Sequence, residues 1–180
     1  MKTILQVEDD ANDVFFLQKA MKKVGVANEI QVASDGQQAI DYLNGTGKFA
    51  DRAQFPLPCL VLLDLKLPHV MGLDVLKWIR QQPGPARIVV ILTASGEDAD
   101  IAAAYRLGAN GFLVKPSEAS KLEDMVKAIR DFWLTHNTLP QESCKGRTAP
   151  SPTTSTHANR LAGINGQRRE EWPHDSEANL

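Results

Sequence analysis

Short, mainly apolar runs alternate along the chain with longer stretches in which apolar residues return every three or four positions. The runs Ile4–Val7, Glu29–Ala33, Cys59–Leu63, Ile88–Leu92 and Gly111–Val114 have the length and β-branched character of buried strands. Asp13–Val24, Gly36–Leu43, Leu73–Gln81, Asp98–Leu107 and Ser117–His136 read as helices. The last carries the clearest stripe: Leu122, Met125, Val126, Ile129 and Trp133 recur on one face, with Ser117 or Ser120 as its N-cap. Gly25 and Gly108 follow their helices as natural stops. Strand–helix alternation of this kind predicts an α/β domain, a doubly wound five-stranded parallel sheet, over residues 1–136.

Two segments break the rhythm. Asn44–Pro58 is long for a helix-to-strand connection and holds Gly45, Gly47, Pro56 and Pro58, so it reads as a surface loop with local turns. From residue 137 the texture changes. Residues 138–180 contain four Pro, three Gly, four Ser and five Thr, without a sustained apolar period, and read as a flexible low-complexity tail. Leu161, Ile164 and Trp172 are scattered apolar residues within it.

Composition narrows the class further. With 43% hydrophobic residues, 23% charged residues and a formal net charge of -2, the chain lacks the basic excess of a bulk nucleic-acid or membrane-surface binder. No apolar stretch approaches the roughly 20 residues of a membrane span, and the amino-terminal run meets acids too early for a signal peptide. Cys59 opens a strand and Cys144 lies in the tail, a placement that argues against a disulfide or a metal site. A cytoplasmic protein is expected.

The candidate chemistry stands directly after the apolar runs. Glu8, Asp9 and Asp10 follow the first, Asp64 the third, Thr93, Ala94 and Ser95 the fourth, and Lys115 and Pro116 the fifth. In a parallel sheet these ends share one edge, where open α/β sheets place their ligand crevices. Helix capping accounts for one or two of the acids, and strand preference alone would account for Thr93. A further carboxylate from Asp64 is harder to explain, since two charges 4 Å apart repel by about 4 kcal/mol at a protein surface. A divalent cation removes that penalty, and oxygen ligands with room for water suit Mg²⁺. Lys115, held extended before Pro116, then supplies a mobile positive charge for phosphate oxygens, with the Thr93 hydroxyl as a further donor. An aspartate so placed can act as a phosphoryl acceptor.

Val7-Glu8-Asp9-Asp10, Leu62-Leu63-Asp64-Leu65-Lys66-Leu67-Pro68, Leu92-Thr93-Ala94-Ser95 and Val114-Lys115-Pro116 together resemble the receiver domain of two-component response regulators over residues 1–135. The long loop before Cys59 and the closing Ile129-Arg130-Asp131-Phe132-Trp133-Leu134 are similar to stand-alone receivers that partner cyanobacterial-type phytochrome kinases. The resemblance implies a flavodoxin-like, CheY-like fold and a 4-aspartylphosphate on Asp64, received from a sensor histidine kinase within a phosphorelay. It implies Mg²⁺ held by Asp9 directly, by Glu8 through water, by Asp64 and by the backbone carbonyl of Lys66. Thr93 and Lys115 would bind the phosphoryl group. Phe112 would change rotamer with Thr93, and the Lys115–Pro116 bond would be cis. Asp10 is left as a capping residue, and the side chains of Lys66 and Ser95 as tuners of phosphate lifetime. A receiver of this kind is a phosphoacceptor that catalyses only its own phosphoryl transfer and dephosphorylation, and so is not an enzyme in the ordinary sense.

Other readings compete. Ordinary core packing would also explain Phe112. Of Phe15 and Phe16, at least one is expected to pack inward, leaving the other for kinase docking. The aromatic pair Phe132-Trp133 suits homodimerisation near the last helix. A DNA-binding regulator is disfavoured because residues 138–180 carry five acidic and five basic side chains and no amphipathic helix. A haloacid-dehalogenase-type hydrolase looks for a second acid two residues after the nucleophile, where this chain has Lys66. An unphosphorylated scaffold or dimerisation module is the remaining alternative, and the acids, Thr93 and Lys115 argue against it.

Overall fold

A computed structural model of the chain describes residues 3–83 and 87–138, all within one compact unit, Met1–Arg147. The expected tail lies, from residue 139 onward, outside the described residues, and with it Cys144, Leu161, Ile164 and Trp172. The strands are β1 (Thr3–Val7), β2 (Glu29–Ala33), β3 (Pro58–Leu63), β4 (Ile88–Thr93) and β5 (Gly111–Val114). The helices are α1 (Ala11–Lys23), α2 (Gly36–Asn44), α3 (Gly72–Gln81), α4 (Asp98–Arg106) and α5 (Ala119–Ile129). All strand pairings are parallel, in the order β2-β1-β3-β4-β5.

Alternation along each central strand sends side chains into two cores. Leu5, Val7, Val61 and Leu63 face one, shared with α2 and α3, while Ile4, Leu60 and Leu62 face the other, covered by α1 and α5. With both faces covered, β1 and β3 are buried at every position, which is why β3 reads as a continuous apolar run and β1 is apolar but for Thr3 and Gln6. The strand order reverses at β1, so its carboxyl end and that of β3 form the edges of a topological switch point.

Three local expectations are corrected. The final helix does not run as one α-helix from Ser117 to His136. Its N-cap is Glu118, with neither Ser117 nor Ser120 capping, and beyond Ile129 it widens into a π-type turn over Arg130–His136. There the Asn137 amide donates five residues back to the Phe132 carbonyl at 2.7 Å, and the Arg130 guanidinium donates to the Val24 carbonyl. These ties across α1 and within the wider turn prevail over the regular 3.6-residue pitch. The second correction concerns α1, whose apolar face is Leu17, Ala20 and Met21, so Phe15 and Phe16 are 58% and 52% exposed and neither packs inward.

The third is the connection from α2 to β3. A 3-10 turn at Gly47–Phe49 buries Phe49, whose ring meets Tyr42 and Phe55 edge-on, each with centroids 5.2 Å apart. Gly45 takes a left-handed φ of 71° to end α2. Arg52 then donates to the carbonyls of Tyr42 at 2.7 Å, Leu43 at 2.9 Å and Phe55 at 3.1 Å. The segment is therefore an anchored satellite of the core rather than a surface loop alone.

Candidate functional site

The switch point gathers the acids as their positions after the strands require. Asp64 follows β3 directly and is 5% exposed, Glu8 follows β1 and is 4% exposed, and Asp9 beside it is exposed. One carboxylate oxygen from each of Glu8, Asp9 and Asp64 lies within 4.8 Å of the others. Asp10 is the N-cap of α1, accepting from the amides of Asn12 at 2.7 Å and Asp13 at 3.4 Å, which agrees with its expected capping role.

Asp64 is held rigidly. Its amide donates to the Val7 carbonyl at 3.1 Å, and its Oδ2 accepts from the Lys66 amide at 3.1 Å. A Cβ on Gly72 would stand 2.0 Å from the Asp64 carbonyl oxygen, so only glycine lets the start of α3 close against the acceptor's backbone. Asp64 Oδ1 is buried and has no hydrogen-bond partner. A polar atom in that condition costs about 1–3 kcal/mol unless something binds it.

Lys115 crosses to the acids from the end of β5. Its amide donates to the Thr93 carbonyl at 2.8 Å, which fixes its backbone beside the end of β4. Its Nζ donates to Glu8 Oε2 at 2.5 Å and to Asp13 Oδ2 at 2.8 Å, yet stands 3.7 Å from Asp64 Oδ1. Burial lowers the Lys115 pKa, but its bonds to Asp13 and Glu8 and the charge of Asp64 outweigh that and hold it above the ordinary lysine value. Burial pushes the Glu8 carboxyl up, the nearby Asp64 charge adds to the rise, and Lys115 offsets only part of it. Three carboxylates, those of Glu8, Asp13 and Asp64, thus surround one ammonium, and Asp9 joins Glu8 and Asp64 in the acid cluster.

Asp13 is the residue that sequence reasoning missed. The periodicity starts the helix at Asp13, whereas α1 begins at Ala11 with Asp10 as cap. Counting from Asp10 as N-cap places Asp13 at the third helical position, where a side chain leans back toward the helix start and hence toward the rim. That offset was the available signal.

Thr93 is fully buried at the end of β4, and its Oγ1 accepts from the Ser95 amide at 3.4 Å. Ser95 Oγ is turned to Asp100 on α4, donating to Oδ2 at 2.7 Å. Phe112 is half-buried and packs against the core shared with α2 and α3, while Lys66 is exposed. A cavity of about 310 Å³ opens beside the acids, between α1 and the start of α5, with Glu8, Asp13, Phe16, Lys115, Pro116 and Leu122 among its walls.

Hard oxygen donors converging on one point, one of them buried and without a partner, fit a small divalent cation such as Mg²⁺. The same rim offers an ammonium and a hydroxyl to a tetrahedral anion attached at Asp64.

The model of the response regulator receiver domain matches residues 4–127. Response regulator Rcp1 of Synechocystis sp. is 39% identical over 140 residues, covering 77% of this chain and 93% of the relative. The solved Mn(2+)-bound form of Rcp1 matches with a TM-score of 0.69 and 37% identity, over 78% of this chain and 99% of that one. The phosphorylated cyanobacterial phytochrome response regulator RcpA matches with a TM-score of 0.71 and 36% identity, over 77% of this chain and 98% of that one. A five-stranded parallel sheet in the order β2-β1-β3-β4-β5, acids and a lysine meeting at its switch point, and these likenesses lead to one conclusion: the chain belongs to the response regulator receiver family of two-component signalling proteins.

Proposed function

We propose that the chain acts as a stand-alone response regulator, with residues 1–136 as its receiver domain and Asp64 as the acceptor of a phosphoryl group from a phosphohistidine kinase. The observation that carries this is the buried Asp64 carboxylate, with one oxygen held by the Lys66 amide and the other lacking a hydrogen-bond partner beside Lys115. An Asp64 oxygen forms the bond to phosphorus while the bond from phosphorus to the kinase imidazole nitrogen breaks, its electron pair returning to that nitrogen. Glu8, Asp9, Asp64 and the Lys66 carbonyl would hold Mg²⁺. When bound, that ion neutralises charge on the transferring oxygens. Lys115, protonated like any lysine near neutral pH, and the Thr93 hydroxyl bind the remaining phosphoryl oxygens.

The phosphoryl group brings a charge of about −1.5 to −2, which draws Thr93 inward and lets the half-buried Phe112 follow. The resulting surface change alters protein–protein contacts, and hydrolysis within the same site ends the signal. A histidine kinase of the phytochrome type is the partner proposed from the names of the similar proteins. The exposed Phe15 and Phe16, the latter lining the cavity at the rim, suit docking by its helices, and exposed Phe132 suits a homodimer. No helix among the described residues is long and apolar enough to cross a membrane, and we place the protein in the cytoplasm, acting without direct DNA contact.

Incubation with Mg²⁺ and acetyl phosphate, followed by intact-mass measurement, tests the acceptor. One added phosphoryl group is expected, and none in Asp64→Asn. Equal labelling of that variant would overturn the assignment.

A further inference from the structure

We infer that Asp13 is a positioning residue that holds the Lys115 ammonium back from the acceptor until a phosphoryl group arrives. The inference rests on Asp64 being that acceptor. An ammonium has three donors, and here Glu8 takes one at 2.5 Å and Asp13 another at 2.8 Å. Between them they hold Nζ 3.7 Å from Asp64 Oδ1, beyond hydrogen-bond reach, although Oδ1 is buried and lacks any other partner. A lysine free to choose would approach that orphaned oxygen.

Glu8 and Asp13 differ in what binds them to their places. The Glu8 side chain is 5% exposed and follows the rigid β1, so its hold on Lys115 is part of the buried frame. The Asp13 side chain is 43% exposed on the first turn of α1, where water can replace the lysine when the lysine leaves. Asp13 is therefore the releasable half of the clamp. It also sets a negative charge beside the place where the phosphoryl oxygens must sit. Both effects oppose phosphoryl binding in the resting protein; an amide in place of the carboxylate removes the charge and weakens the hold on the ammonium to a bond with a neutral acceptor. Release would free the amino-terminal turn of α1, next to exposed Phe15 and Phe16, from its tie to β5.

Beryllofluoride with Mg²⁺, a phosphoryl mimic that attaches to a carboxylate, supplies the test in the full chain. Asp13→Asn keeps size and helix position. It should bind the mimic about threefold tighter or more, as befits the loss of a partly exposed ion pair. In the metal-free protein, the NMR signal of the Lys115 side chain should move in Asp13→Asn toward its position in the mimic-bound wild type. Asp13→Glu should restore the wild-type affinity and signal. A merely structural role would change thermal stability without moving that signal toward the bound position. Equal or weaker binding by Asp13→Asn, or a Lys115 signal that stays in place, overturns the inference. Asp64→Asn separates the two levels. If the mimic fails to saturate the wild type, or binds Asp64→Asn equally, the acceptor reading fails and the inference with it. If it binds the wild type alone, the ratio between wild type and Asp13→Asn decides the role of Asp13.

Discussion

Two cations organise opposite edges of the sheet, and they are treated in opposite ways. Arg52, at the edge where β3 begins, donates to three backbone carbonyls, those of Tyr42, Leu43 and Phe55. Its planar fork matches fixed acceptors, so the connection from α2 to β3 is bonded to completion and set. Lys115, at the edge where the strands end, faces carboxylates from Glu8, Asp13 and Asp64 and satisfies only the first two by hydrogen bonds. A compact charge on a flexible stem can move among acceptors, and one buried acceptor is left waiting. Incomplete bonding around a mobile cation marks the chemistry, whereas complete bonding around a rigid one marks the scaffold.

The largest expected effect attacks the rigidity on which the incomplete site depends. Gly72→Ala drives a Cβ to 2.0 Å from the Asp64 carbonyl oxygen. Denaturant unfolding should show a loss of about 4 kcal/mol, with phosphorylation by acetyl phosphate lost as the acceptor is displaced. Arg52→Met comes next. The carbonyls of Leu43 and Phe55 lose this donor and that of Tyr42 keeps only the Gly45 amide, so stability should fall by about 2–3 kcal/mol, while beryllofluoride affinity stays within about twofold because the two edges are far apart. A large affinity change would show that the edges are coupled and would break the contrast.

Asp64→Asn should have a smaller effect of the opposite sign. Removing one carboxylate from the crowded rim should raise the stability of the metal-free protein by about 1 kcal/mol, and Mg²⁺ should then stabilise it much less than it does the wild type. Calorimetry with and without Mg²⁺ measures both.

The smallest effect belongs to Asp35, the N-cap of α2, which accepts from the Gln38 amide at 2.7 Å. Burial alone would raise its carboxyl, but the backbone and side-chain donors of Gln38 outweigh that and leave its pKa below the ordinary aspartate value. A lowered folded value means that its contribution is present above the ordinary pKa and is lost as pH falls through the folded one. Asp35→Ala should cost about 0.5–1 kcal/mol near neutrality, and the gap from wild type should close as the pH drops through that range.

The strand ends were legible because both signals are local. An apolar run bounded by acids names a buried strand and its terminus within a few residues, which placed Glu8, Asp9, Asp64, Thr93 and Lys115 on one edge. The loop from Asn44 to Pro58 misled for the converse reason. Its glycines and prolines advertise turns, while the burial of Phe49 depends on meeting Tyr42 and Phe55 in three dimensions. The final helix misled in the same way. Its stripe is real, but the π-type turn after Ile129 is tied by the bond from Arg130 to Val24, 106 residues away in sequence.

The α/β alternation, the acids after the first and third strands and the lysine after the fifth are written in the residues alone, since short-range periodicity and strand termini need no partner to be read. Only the tertiary structure decided which carboxylates Lys115 would bond. The pairs it makes with Glu8 and Asp13 span 107 and 102 residues, and they depend on strand order and on the rotation of α1 about its axis. The burial of Leu17, Ala20 and Met21 fixes that rotation, and with it the placement of Asp13 as the second hand on the lysine.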